Sequence, residues 1–146
     1  MMKGQSSMRV SSKFLFLGLM LLAQPAFAEV KNDDPNALQT GDIPKKYPAA
    51  IKALRAIVPK NMVGESWLYN LDGVGEQVLE KDVGGLHYFA GWGCKPKECA
   101  QNIVGFLVTA DGKKAVAEIS IASHGKNEYL GKPTAAEKKT LDGLIN

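Results

Sequence analysis

The stretch Ile103–Thr109, Ile-Val-Gly-Phe-Leu-Val-Thr, constrains the fold more than any other part of the chain. It is almost wholly apolar and fits a central strand buried on both faces. Asp111-Gly112 follows, a pair that favours a tight reversal between strands. Val116–Ala122 comes next, with Val116, Ile119 and Ile121 apolar and Glu118 and Ser120 expected to face solvent. The turn makes the two stretches antiparallel neighbours. Upstream, Leu86–Trp92 reads as another strand, rich in aromatic residues, and Gln77–Lys81 as a shorter one. Gly73 to Gly75 and the pair Gly84-Gly85 read as turn glycines rather than a phosphate cradle.

Helices bracket these strands. Tyr47, Ile51, Leu54 and Val58 share one face of a helix expected from Pro48 to Val58, with Pro48 in its first turn and Pro59 marking the stop. Near the end, Thr134 and Glu137 form a Thr-x-x-Glu capping box, and Leu141, Leu144 and Ile145 give the helix an apolar edge. The pattern predicts an α+β domain over 45–146: an antiparallel β-sheet flanked by N- and C-terminal helices and covered on one face. There is no repeat or linker in the sequence.

The first 28 residues read as a cleavable signal peptide. Lys3, Arg9 and Lys13 precede Phe14–Ala23, an unbroken apolar run of ten residues. Ten residues rise roughly 15 Å as a helix, about half a bilayer's hydrocarbon thickness, so a membrane span is not expected. Ala26-Phe27-Ala28 supplies the small-x-small pattern of a cleavage site before Glu29, and translation from Met8 would give a shorter signal. No cysteine follows that site, so no lipid anchor is expected. Residues 29–44 read as a flexible mature N-terminus. The chain carries 18 Lys plus Arg against 15 Asp plus Glu, and all three surplus cations precede residue 14. The mature chain is then neutral, which removes the electrostatic basis for general nucleic-acid binding. A 45% hydrophobic content with low net charge argues against disorder.

Export bears directly on Cys94 and Cys99, the two cysteines. In an oxidising compartment such an even pair is expected to form a disulfide. A redox pair would more often be Cys-x-x-Cys, and a zinc site would need His87 and His124 gathered to the same point. Neither a metal nor another cofactor is expected. Sequence signatures of catalysis are scarce: Gly-x-Ser-x-Gly, a Walker loop and His-Glu-x-x-His are all missing. His87 reads as a packed or surface imidazole in a strand, and His124 as a loop residue. The chain is therefore expected not to be an enzyme. What stands out is the bridge itself, closing Lys95, Pro96, Lys97 and Glu98 into a loop between two strands. A loop so constrained loses little further freedom when a partner binds.

Cys-Lys-Pro-Lys-Glu-Cys at 94–99 resembles the Cys-Lys-Pro-His-Asp-Cys loop of the periplasmic Ivy family, inhibitors of vertebrate lysozyme. The resemblance extends over most of residues 60–141. It includes Trp67 ahead of the strands, Tyr88 and Phe89 before the loop, the Ile103 strand directly after it, and Tyr129-Leu130-Gly131 before the last helix. It implies an antiparallel sheet with flanking helices and a protruding disulfide-held loop that enters the lysozyme cleft. Lys97 stands where the family carries the histidine that contacts the two catalytic carboxylates, and Glu98 replaces its Asp. An ammonium stays charged across the range where histidine titrates, yet it is a flexible and strongly hydrated point charge.

The expectation is thus a periplasmic lysozyme inhibitor whose partner-binding loop is Lys95, Pro96, Lys97 and Glu98. The alternative partner is an endogenous lytic transglycosylase, and a reading from another class is a thiol oxidoreductase or Cys/His hydrolase. Exposed strand edges leave a homodimer by strand addition open.

Overall fold

In the computed structural model the described residues are 34–146. The signal-peptide reading and its cleavage site fall outside them. The expected hairpin is the centre of the fold. β4 (Asn102–Val108) and β5 (Ala115–Ile121) pair antiparallel from Asn102↔Ile121 to Val108↔Ala115. Between them Gly112 sits at φ +71°, where a side chain would run into the Ala49 carbonyl. β3 (Leu86–Cys94) flanks β4 on its other side, in register from Phe89↔Val108 to Cys94↔Ile103. β2 (Leu79–Val83) folds back on β3 through Gly84-Gly85, both at positive φ, the conformation that two-residue hairpins demand. β1 (Val74–Gly75) pairs with the end of β3, and β6 (Asn127–Leu130) closes the far edge against β5. The six strands form one antiparallel sheet in the order β1-β3-β4-β5-β6, with β2 also on β3.

The described residues also form four α-helices, α1 (Ile43–Lys46), α2 (Pro48–Ile57), α3 (Ser66–Tyr69) and α4 (Ala135–Ile145), and three single-turn 3-10 helices. Alternation along the strands sends Phe89, Val104, Phe106, Ala117 and Ile119 to one face, where Ile51, Leu54, Trp67 and Leu68 cover them. Tyr47, the first residue of the predicted helical stripe, is half-buried with its ring 4.4 Å from that of Phe89. Arg55 joins α2 to α3 by donating to the Tyr69 carbonyl at 3.1 Å and to Asn70 Oδ1 at 2.6 Å.

The expectation of a sheet covered on one face is corrected here. Tyr88, Ala90, Leu107 and Val116 form a second buried cluster on the opposite face, beneath Leu141 and Leu144 of α4. A strand as apolar as β4 exposes a hydrophobic row on each side, and each row must be buried. The same packing corrects Glu118, expected in solvent but 2% exposed, and Ser120, which is half-buried.

A polar anchor fixes α4 at its N-terminal end. The capping box forms as predicted: Glu137 N donates to Thr134 Oγ1, and Thr134 N donates to Glu137 Oε2 at 2.7 Å. Glu137 is itself buried, and its Oε1 accepts from Tyr88 Oη at 2.5 Å and pairs with Lys114 Nζ at 2.7 Å. Burial pushes the Glu137 carboxyl upward, but Lys114, Tyr88 and the Thr134 amide outweigh it and hold the group down to about 2. Burial, followed by the bond to Glu137, raises the Tyr88 phenol above its ordinary value.

The leading segment, expected to be flexible through residue 44, is built into the structure over its described latter part. Val78 N donates to the Leu38 carbonyl at 2.7 Å, Gln39 bridges Gln77, and Thr40 and Ile43 are buried. The Thr40 hydroxyl lies 3.0 Å from the Glu76 carbonyl and 2.9 Å from that of Trp92.

Candidate functional site

The loop grows out of β3. Cys94, the last residue of that strand, is fully buried and bonded to Cys99 with their Cα atoms 4.9 Å apart. Inside the bridge the backbone makes a defined turn, with Glu98 N donating to the Lys95 carbonyl at 3.0 Å. Pro96 occupies its second position and Lys97 its third, at φ +68°. Proline fixes a negative φ, so a positive φ on the next residue identifies a type II turn. That turn ordinarily takes Gly or Asn where this chain has Lys97. A second reversal follows, with Gln101 N and Asn102 N both donating to the Glu98 carbonyl at 2.9 Å, while Lys95 N donates to the Asn102 carbonyl at 3.0 Å. Every turn of the loop is thus closed by a backbone hydrogen bond.

Neighbouring chain supports this frame. β1 lies so close beneath the end of β3 that a Cβ on Gly73 would come within 2.1 Å of the Cys94 carbonyl oxygen, and one on Gly75 within 2.8 Å of that of Trp92. Gly73 and Gly75 are therefore close-approach glycines flanking and within β1, not turn glycines as expected; only Gly84-Gly85 takes that role. The Thr40 hydroxyl donates to the same carbonyl of Trp92, at 2.9 Å, and its side chain fills the space that a Gly75 Cβ would take.

The four loop residues differ in their electrostatic situation. Lys95 Nζ lies 3.7 Å from Glu65 Oε2 and 3.6 Å from Glu98 Oε2. Both carboxylates are held in place by firmer bonds: Trp67 Nε1 donates to Glu65 Oε2 at 2.7 Å, and Asn102 Nδ2 to Glu98 Oε2 at 2.8 Å. Of the two loop lysines, only one is left without a carboxylate partner among the described residues. Lys95 is bracketed by carboxylates, whereas Lys97 is exposed and makes no ion pair among the described residues. Pro96 and Glu98 are also exposed.

A cleft of about 390 Å³ opens beside the loop, with Glu65, Trp67, Lys95, Glu98, Asn102 and His124 among its lining. His124 Nδ1 lies 3.2 Å from Glu128 Oε1. His87 is elsewhere, on the exposed hairpin of β2 and β3, between Asp82 Oδ1 at 2.7 Å and Glu80 Oε2 at 3.1 Å. The bond to Asp82, and then that to Glu80, raises the His87 pKa. Both cysteine sulfurs are consumed by the bridge, and among the described residues no three His, Cys, Asp or Glu side chains gather as a metal site.

Sequence reasoning found the loop but missed the Glu65–Lys95–Glu98 bracket. Glu65 precedes Trp67 by two residues without any periodic or motif signal, and it meets Lys95 only because α3 packs beside the end of β3. No family model matches the chain, and no curated protein matches it.

Proposed function

We propose that the protein is a periplasmic inhibitor of a lysozyme-type, peptidoglycan-cleaving muramidase, and that it blocks the active-site cleft with the Cys94–Cys99 loop. The observation that carries this reading is the rigid type II turn that projects an unpaired, exposed Lys97 from a disulfide frame. Ordering a floppy backbone costs about 1–2 kcal/mol per residue, so immobilising four loop residues on binding would take about 4–8 kcal/mol. A micromolar complex has only about 8 kcal/mol in all. A pre-formed loop avoids most of that loss, and its ammonium suits a cleft built around carboxylates.

The test is inhibition of cell-wall lysis by a hen-type lysozyme, followed by turbidity, together with calorimetric binding to the purified protein. Binding is expected, and Lys97→Ala is expected to weaken it by about 2 kcal/mol or more, roughly thirty-fold. No inhibition combined with no binding removes the lysozyme target.

One observation favours a second target. Lytic transglycosylases cleave the same polymer with a single catalytic acid, and Lys97 is the one loop cation without an ion pair among the described residues. A pull-down from a periplasmic extract distinguishes the two, since recovery of no wall-cleaving enzyme counts against this version.

A further inference from the structure

The C-terminal helix is fastened at its other end by an arrangement that ordinary ion pairing does not explain. Glu118 points from β5 into the face covered by α4, and its side chain is almost wholly buried. Its Oε1 accepts from Asn127 Nδ2 of β6 at 2.7 Å, but its Oε2 is buried without a hydrogen-bond partner among the described residues. The group that can complete it is another acid, Asp142 of α4, whose carboxyl is held against Tyr129, the residue paired with Glu118 across β5 and β6. Asp142 in turn accepts a hydrogen bond from the Tyr129 hydroxyl of β6, and Lys138 of α4 lies over the Tyr129 ring, 5.1 Å from its centroid. On the β4 side the residue opposite Glu118 is Gly105, which brings no charge.

Two ionised carboxylates in this setting would repel one another, and a buried acceptor without a donor is destabilising. A proton removes both penalties at once. We infer that Glu118 and Asp142 form a proton-binding site between the sheet and the C-terminal helix, in which Glu118 carries the proton and donates it through Oε2 to the Asp142 carboxylate. Tyr129 and Glu118 then both donate to Asp142, and Asn127 satisfies the remaining Glu118 oxygen. Both Glu118 oxygens then have partners, and α4, already bonded to β6 through Tyr129, is tied to β5 by the single proton. Loss of that proton restores the repulsion and loosens the last turns of α4, where Leu141, Leu144 and Ile145 pack.

The direction of the coupling follows. Burial, joined by the neighbouring Asp142, raises the Glu118 pKa above that of an unfolded glutamate. The fastening is complete below the unfolded value and is lost as pH rises through the folded one.

A carbon-detected NMR titration of the Glu118 side-chain carboxyl reads the site directly. Its midpoint is expected above the ordinary glutamate range. Amide exchange over residues 141–145, corrected for the intrinsic pH dependence of exchange, reads the consequence. Protection is expected to fall by up to about tenfold per pH unit between the unfolded and folded midpoints. Glu118→Gln keeps a donor toward Asp142 and is expected to flatten that dependence. A Glu118 midpoint at or below the ordinary range, as a hydrated carboxylate would give, overturns the inference. So does pH-dependent protection that survives in Glu118→Gln. If that variant does not fold, the carboxyl titration of the unaltered protein decides alone.

Discussion

Replacing Glu137 by glutamine tests how the C-terminal helix is attached. In the folded protein this carboxyl is held down to about 2, against an ordinary value of 4.5, by Lys114, Tyr88 and the Thr134 amide acting against burial. A gap of about 2.5 units at about 1.4 kcal/mol per unit makes the charged group worth about 3 kcal/mol of stability. The side chain is only 3% exposed, so solvent screening takes little from that figure. The folded value is depressed, so the contribution is present above 4.5 and disappears as pH falls toward 2. The introduced amide has nearly the shape of the protonated acid but cannot form an ion pair with Lys114. Urea unfolding followed by tryptophan fluorescence at pH 7, 4.5 and 2.5 therefore has a definite expected pattern. Glu137→Gln should lose about 3 kcal/mol at pH 7, a large part of the 5–15 kcal/mol typical of a domain, and should converge on the unaltered protein near pH 2. Comparing the two proteins at each pH cancels the titration of every other acid. A deficit unchanged from pH 7 to pH 2.5 would show that Glu137 acts through packing or capping alone and refute the electrostatic account. A deficit below about 1 kcal/mol at pH 7 would refute its magnitude.

Two further predictions concern the loop. The pair Cys94→Ser and Cys99→Ser should lower stability by only about 2 kcal/mol, because the closed loop is short, while reducing target binding much more; thiol titration should find no free thiol in the unaltered protein and two after reduction. Lys97→Asn should separate backbone from charge. Asparagine tolerates the left-handed conformation at this turn position, so denaturant stability should stay equal or rise by up to about 1 kcal/mol while target binding falls. A loss above about 1 kcal/mol would contradict the turn assignment.

The central hairpin was legible because both of its signals are local: an apolar run and an Asp-Gly pair between two strands. The capping box at Thr134 and Glu137 was legible for the same reason. Four misreadings share a different cause. Glu118 follows the strand alternation and looks solvent-facing, yet α4 lies over that face. Thr40 and Ile43 sit in a polar stretch whose burial comes from carbonyls and side chains far along the sequence. Gly73 and Gly75 have the composition of a turn but are selected by the closeness of β1 to Cys94 and Trp92. Lys95 looks free in the hexapeptide and is paired by Glu65 from beside α3. In each case the deciding partner is remote in sequence, and neither periodicity nor motif spacing carries information about it.

That remoteness shapes what the loop can present. The disulfide alone contributes about 2 kcal/mol and restricts only the residues it closes. The direction in which the loop leaves the sheet is set by β1 beneath Cys94, by Thr40 at the Trp92 carbonyl, and by the bond from Lys95 N to Asn102. Its charge is set as far away. Without Glu65, Lys95 would share only Glu98, and both lysines would offer positive charge near the same point of a partner. With Glu65 held by Trp67, the Lys95 ammonium is compensated on two sides and the exposed charge is concentrated at Lys97. Altering Glu65 would therefore change the field at the loop tip without touching any residue of the loop. The unit presented to a partner is an assembly of the turn, the end of β3, β1 and α3, and not the six-residue bridge considered alone.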